Sequence, residues 1–196
     1  MKKLILLFIG IFLLVNIVYA INFTANFNNC PNGDNGSCQG FTPITGAWST
    51  QNGTYIASLG TILVNTIVPG INCVDCNFTS KIKVTTPINV DPDAAGVVGR
   101  YTVLGDYYAL ILDFKNDNVI LTRGLNPLAQ VPFDLSTNVD YEVTLKTEGN
   151  IIKGYIDHVL ILNTTDSNPI LSGTGGLIGY STGGLQTTRI FDDFSV

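Results

Sequence analysis

The chain has 196 residues, and with 10 Lys plus Arg against 15 Asp plus Glu it carries a net charge of −5. That balance argues against nucleic acid or an anionic membrane as the partner. The length suits a single domain large enough to bury roughly 70% of the surface its unfolded chain exposes.

The first element is not part of a globular fold. Met1-Lys2-Lys3 is basic, residues 4–15 are almost wholly apolar, Asn16 interrupts the run, and Val18-Tyr19-Ala20 places small residues at the minus-three and minus-one positions. This predicts a secretory signal peptide over residues 1–20, cut after Ala20. The other reading is an uncleaved anchor, for which residues 4–21 supply 18 positions, the short end for a membrane span. Cleavage removes Lys2 and Lys3, so 8 cations remain of the 10 against 15 acids, a charge of −7. The expected location is secreted or at the cell surface, with no membrane contact after cleavage.

Residues 21–196 read as one β-rich domain, with no helical period and no linker or repeat to divide them. Residues 23–27 form the first run. Residues 28–40, rich in Asn, Gly and Cys, read as a long surface loop. Residues 47–51 and 54–59 flank Asn52-Gly53, a hairpin-turn dipeptide. Phe78, Ser80, Ile82 and Val84 alternate with Thr79, Lys81, Lys83 and Thr85, as in a half-exposed strand. Further runs cover 96–101, 107–114, 118–123, 141–148, 151–156, 159–163, 177–181 and 189–196. About a dozen strands with turns every 8 to 12 residues predict an antiparallel sandwich or barrel.

Export makes the cysteines readable as disulfides. Cys30, Cys38, Cys73 and Cys76 allow three connectivities. Local pairing, Cys30–Cys38 and Cys73–Cys76, is favoured because each bond would tie a polar loop. The Cys73-Val-Asp-Cys76 spacing also occurs in redox motifs, but no βαβ pattern surrounds it. Five N-x-S/T sequons, at Asn22, Asn35, Asn52, Asn77 and Asn163, are expected at the surface if glycosylated.

Strand register proposes a binding face. With Tyr101 facing Tyr107, Arg100 lies opposite Tyr108; with a turn at 115–118, Leu110 lies opposite Arg123. Arg100, Tyr108 and Arg123 then share one face at one end of a three-stranded patch. Tyrosine offers a sugar a flat apolar surface, and guanidinium groups donate forked hydrogen bonds. The same face holds Leu110, Leu112, Phe114 and Leu121, so it also reads as core with arginines at its rim, salt-bridged to aspartates. At the end of the chain, FDDFSV (191–196) is a closing strand. Strict alternation puts Ile190, Asp192, Phe194 and Val196 on one face and Phe191, Asp193 and Ser195 on the other. Neither aspartate is expected to be buried unpaired, which would cost several kcal/mol.

Four segments in order, GAWSTQNGTYIAS (46–58), AGVVGRYTVLGDYYALILDF (95–114), YEVTLKTEGNIIKGYIDHVLIL (141–162) and GGLIGYSTGG to FDDFSV (175–196), resemble the concanavalin A-like lectin/glucanase superfamily in its laminin-G-like branch. The resemblance spans nearly all of residues 21–196. It implies a jelly roll of two curved antiparallel sheets, often with a carbohydrate-facing concave side. Asp157-His158 departs from the usual Asp-Gly or Asn-Gly hairpin turn, and His158 reads as a solvated turn residue. The superfamily's glucanases use an E-x-D-x-x-E strand, whose carboxyls lie about 5 Å apart. Here the two glutamates, Glu142 and Glu148, are six apart and outside such a motif. By the same resemblance a structural calcium on the convex side would take Asp193 and the carbonyl of Gly53, near Asn26. The alternative for Asp193 is to cap loop amides or pair with Arg189 or Lys153.

The resulting expectation is a non-catalytic binding module for glycans at the cell surface, with a glycan or a cell-surface protein as partner. A self-assembling structural or adhesive subunit, of a filament or coat, is the rival reading. A glycan-acting hydrolase with an unrecognised site is the third.

Overall fold

A computed structural model describes residues 22–58, 63–86, 94–180 and 187–196. The segment expected to be a signal peptide, and the ends of the runs 54–59 and 177–181, lie outside these residues. Fifteen strands are described: β1 (Thr24–Ala25), β2 (Thr42–Thr45), β3 (Ala47–Gln51), β4 (Thr54–Ser58), β5 (Leu63–Ile67), β6 (Cys76–Thr85), β7 (Ala94–Val103), β8 (Asp106–Asp113), β9 (Asn118–Arg123), β10 (Asn126–Pro132), β11 (Tyr141–Glu148), β12 (Ile151–Ile156), β13 (Val159–Thr165), β14 (Thr174–Tyr180) and β15 (Thr188–Ser195). They form two antiparallel sheets. The first runs β13-β12-β11-β6-β15-β4-β3, with β1 added to β15, and the second runs β10-β9-β8-β7-β14-β5-β2. Among the described residues no helix is long and apolar enough to cross a membrane.

Alternation explains most of this architecture. On β6 Phe78, Ser80, Ile82 and Val84 are buried while their neighbours are not, and β11 repeats the pattern with Tyr141, Val143, Leu145 and Thr147. These inward rows meet Val97, Leu110, Leu112 and Leu121 of the second sheet in one continuous core. Fully burying such a side chain contributes roughly 1.5–3 kcal/mol. An aromatic cluster closes one side of the core: Tyr55 stacks on Trp48 and on Phe27, each at a centroid distance of 4.9 Å. The loop 28–40 folds over this cluster, is bonded through Cys30–Cys38, and is held by the Tyr55 hydroxyl, which donates to the Gly36 carbonyl. Cys73–Cys76 is the second disulfide. Both favoured pairings are therefore present, and the first closes a loop worth roughly 2–3 kcal/mol.

Three strands escaped the sequence reading. β2 contains Pro43 and β10 contains Pro127 and Pro132, and both lie at the edges of the second sheet, where a missing N–H costs no ladder bond. β5 lacks a hydrophobic alternation because its two consecutive polar residues, Asn65 and Thr66, are both buried.

The closing strand corrects the alternation expected for FDDFSV. Phe191 pairs with Ile82 and with Tyr55, Asp192 pairs with Lys81, and the next pair to β6 is Ser195 with Thr79. Two residues are thus accommodated in a β-bulge, with Asp193 at φ 48°. The bulge lets Phe191 and Phe194, three apart, both enter the core, and leaves Asp192 half-buried and Asp193 exposed. No aspartate of this strand points into the core.

Candidate functional site

The register around β7 and β8 also departs from expectation. Tyr108 pairs with Gly99 on one side and with Arg123 on the other, while Leu110 pairs with Leu121. A bulge in β7 between Gly99 and Val103 absorbs the difference, with Arg100 at φ 47°. Val98 and Tyr101, three apart, consequently share the outer face, and Arg100 turns inward. The sequence reading did bring Arg100, Tyr108 and Arg123 to one end of the sheet, but on its core side. Arg100 is fully buried and donates from Nε to the Val74 carbonyl at 2.8 Å and from Nη1 to the carbonyls of Gly149 and Ile170, each at 2.6 Å. Its Nη2 reaches Asp75 at 3.2 Å. Desolvation pulls the guanidinium below its ordinary pKa, against the opposing field of Asp75. Tyr108, also fully buried, donates to Asp166 Oδ2 at 2.7 Å and accepts from the Ile170 N–H at 3.0 Å. Burial and the Asp166 bond push its hydroxyl up to about 12. Arg123 binds Asp166 at 3.0 Å and Asp106 at 3.3 Å. These side chains pin the segment 166–173 across the end of the sandwich, and neither Arg100 nor Tyr108 presents a surface to a ligand.

This clasp is acid-sensitive. Burial alone would raise the Asp166 carboxyl, yet the Asn168 N–H, the Tyr108 hydroxyl and Arg123 outweigh it and hold the group below the ordinary aspartate range. A depressed folded-state pKa contributes stability above the unfolded value, and that contribution disappears as pH falls through the folded value. Protection of the Ile170 amide from hydrogen exchange is therefore expected to fall as pH drops through and below the ordinary aspartate range, and Asp166→Asn to remove that dependence. Unchanged protection in acid would show that Arg100 alone holds the segment.

The two outer faces differ in character. On the first sheet the cross-strand row Asn77–Lys146–Lys153–Asn163 lies outside, followed by Thr79–Thr144–Tyr155. None of these side chains is buried. Both glutamates are here. Glu148 binds Lys146 at 2.7 Å and Lys153 at 2.6 Å, which hold it down to about 2, and Glu142 lies 3.1 Å from His158 Nδ1. Fixed by these partners on the far side of the sandwich, they form no carboxylate pair across a cleft.

The second sheet's outer face is instead recessed. Val98, Tyr107, Ala109 and Ile178 form a separate buried apolar cluster there, with Tyr101 stacked on Tyr107 at 5.7 Å. The cross-strand row Thr45–Asn65–Ile178–Gly96–Ile111–Ile120 runs over the face. Gly96 leaves the middle bare, since a Cβ there would collide with the Leu110 carbonyl oxygen. A recess of about 220 Å³ opens beside it, walled by Leu63, Ile111, Ile120, Ile178 and Tyr180. Among the described residues five buried side-chain polar atoms lack a hydrogen-bond partner: Thr45 Oγ1, Asn65 Nδ2 and Oδ1, Tyr107 OH and Thr122 Oγ1. All of them belong to this face, and Thr122 lines the recess. Sequence reasoning missed them. The one available signal was Asn65 as a polar residue inside an otherwise strand-like LVNTI.

The surroundings of Asp193 do not fit calcium. Its Oδ2 lies 2.6 Å from Lys81 Nζ, a cation neither sequence alternative named. It borders a shallow pocket with Thr24, Asn26 and Gln39, and Gly53 is not among the lining residues. The Gln39 side-chain oxygen already accepts from the Asn26 and Phe27 amides, and the Asn26 oxygen from the Asn28 amide. Calcium asks for six to eight oxygen ligands, whereas one carboxylate is offered here and is already ion-paired. Among the described residues no cluster of three or more His, Cys, Asp and Glu side chains could hold a metal.

Searches among solved structures match this arrangement of sheets. A carbohydrate-binding module CBM66 from Bacillus subtilis superposes with a TM-score of 0.66 at 20% identity, over 79% of this chain and 93% of that one. The chain has the concanavalin A-like jelly-roll fold. A Bacillus licheniformis β-glucanase matches with a TM-score of 0.62 at 14% identity, over 89% and 96%. The exoplasmic/lumenal domain of VIP36 in a Ca2+/Man-bound form matches with a TM-score of 0.62 at 12% identity, over 88% of each chain. No protein-family model matches the sequence. No curated protein matches it either.

Proposed function

We propose that this jelly roll is an exported, non-catalytic carbohydrate-binding module that holds neutral glycans on the outer face of its second sheet. The observation that carries the reading is the gathering of all five unpartnered buried polar atoms on that one face. A buried donor or acceptor left unmade costs about 1–3 kcal/mol. Asn65 and Tyr107 are closed to solvent, so a ligand recovers this energy only by parting the side chains that cover them, and a sugar supplies both donors and acceptors while laying its C–H faces on Ile111, Ile178 and Tyr180. The carbohydrate-binding module and the mannose-bound lumenal domain among the similar structures support the same reading. Among the described residues Asp113 is the lone charged one lining the recess, and its carboxylate accepts from the Asn116 side chain at 2.8 Å. With no cation among the described lining residues to pair an acidic sugar, neutral glycans are favoured.

The sequons fit an exported protein. Asn22, Asn35, Asn52, Asn77 and Asn163 are all exposed, and Asn77 and Asn163 lie on the outer face of the first sheet. Glycans there would leave the recess open.

A glycan-array screen followed by titration calorimetry tests the proposal through Asn65→Leu. This variant replaces an unsatisfied amide with an apolar group of similar volume. It is expected to unfold at a higher temperature, by about 1–2 kcal/mol of added stability, and to bind its glycan at least about tenfold more weakly. Retained affinity in the variant would place the site elsewhere, and an array with no bound glycan would refute the function.

A further inference from the structure

Among the described residues three tyrosines are fully buried, Tyr55, Tyr107 and Tyr108. The Tyr55 hydroxyl donates to the Gly36 carbonyl, and the Tyr108 hydroxyl donates to Asp166 and accepts from the Ile170 N–H. The Tyr107 hydroxyl has no partner. Phenylalanine would fill the same space without leaving a polar group unmade. The free fold therefore makes no use of this hydroxyl, and its use lies with a group that comes from outside.

Of the side chains packed with Tyr107 in its cluster, one can move aside. Val98 and Ala109 are short and pair with each other between β7 and β8, and Ile178 lies inside β14, paired with Asn65 on one side and Gly96 on the other. Tyr101 stands in the bulge between Gly99 and Val103, with a partner on β14, Thr174, and none on β8. Its ring lies 5.7 Å from that of Tyr107 and within 15° of parallel. The Tyr101 hydroxyl bonds to no protein group either, but unlike that of Tyr107 it is not closed off from solvent. Swinging this ring outward breaks no hydrogen bond and gives up only stacking and apolar contact. The backbone beneath need not move, because the bulge is pinned from the core side by Arg100. The two phenols are close enough for Tyr101 to add to the rise that burial gives the Tyr107 pKa.

We infer that Tyr101 is a movable cover on the outer face of the second sheet, and that a sugar ring displaces it and hydrogen-bonds the uncovered Tyr107 hydroxyl. For the ligand this rests on the glycan reading above; the movement of the ring does not. A pyranose suits the exchange, because its C–H face replaces the apolar contact of the departing ring while hydroxyls at its rim supply the missing partner. The cover also sets the affinity. Only the fraction of molecules with the ring swung out can bind, so removing the ring tightens binding by the inverse of that fraction.

The test is nitration of the folded protein with tetranitromethane, the modified tyrosines being located by peptide mass mapping. In the wild type Tyr107 is expected to react faster than Tyr55 and Tyr108, because its cover opens and theirs do not. With the open state a minor one, Tyr101→Ala is expected to speed the reaction of Tyr107 by at least about tenfold. Unchanged rates at Tyr55 and Tyr108 show that the fold is intact, and Tyr101→Phe, which keeps the ring, is expected to leave Tyr107 slow. Tyr101→Leu takes the place of the alanine variant if that one does not fold. The methyl glycosides of glucose, galactose and mannose are the probes of binding. At least one of them is expected to slow nitration of Tyr107 in Tyr101→Ala and to bind that variant about tenfold more tightly than the wild type. A Tyr107 as inert as Tyr55 with and without the Tyr101 ring would overturn the inference and leave the glycan reading, which Asn65→Leu tests, standing. A Tyr107 that opens but is protected by none of the glycosides would overturn the role given to its hydroxyl.

Discussion

Arg100→Ala is expected to destabilise the domain by about 3–5 kcal/mol, the cost of emptying one side of a buried, hydrogen-bonded charge network. The side chain is fully buried, and its guanidinium satisfies the carbonyls of Val74, Gly149 and Ile170 together with Asp75. Alanine would leave three carbonyls facing a cavity and free the segment 166–173 on one flank. For a domain of this size each kcal/mol shifts Tm by about 2–4 °C, so thermal unfolding should move down by roughly 6–20 °C. Arg100→Lys should recover little, because one ammonium on a flexible stem does not reproduce a planar fork that serves several acceptors. A loss of less than about 1 kcal/mol would mean that water replaces the guanidinium, and the clasp would then hang on Tyr108 and Arg123.

The second large effect is expected at Phe78. Its ring crosses from the first sheet into a socket in the second, where Gly99 and Gly175 bare the backbone; a Cβ on Gly99 would lie 2.5 Å from the ring. Phe78→Ala should cost about 3–5 kcal/mol through lost burial and the cavity left behind. Gly99→Ala should cost about 1–3 kcal/mol through overpacking. Combined with Phe78→Leu, the glycine substitution should cost less than the sum of the single changes, since the smaller side chain frees the space that the new methyl needs. Chemical denaturation of the four proteins of the cycle measures this coupling. Strict additivity would mean that the ring and the glycine do not share the socket.

Local pairing at Asn52-Gly53, the alternation of β6 and β11, and the short disulfide loops were all legible in the sequence, because each is settled by residues within a few positions of one another. Composition and turn spacing sufficed for an all-β sandwich on the same ground: an alternating strand has one face to bury. The prolines of β2 and β10 concealed strands, because whether a missing N–H matters depends on being at a sheet edge, and edges exist only once the sheet is assembled. The two bulges lay further out of reach. At Gly99–Arg100 and at Asp192–Asp193 an extra residue reverses which side chains face inward. One bulge keeps Arg100 on the face of Leu110 although Val98 lies outside, in keeping with the alternative reading of arginines at a core rim paired with aspartates, and the other puts Phe191 and Phe194 on the same face. The outer-face site was hidden for a related reason. Thr45, Asn65, Tyr107 and Thr122 sit on four different strands, and their shared lack of partners is a property of the sheet's register and burial. The sequence determined the architecture through local period and turn chemistry. Only the tertiary structure decided which polar atoms were left unsatisfied, because that depends on neighbours brought in from distant parts of the chain.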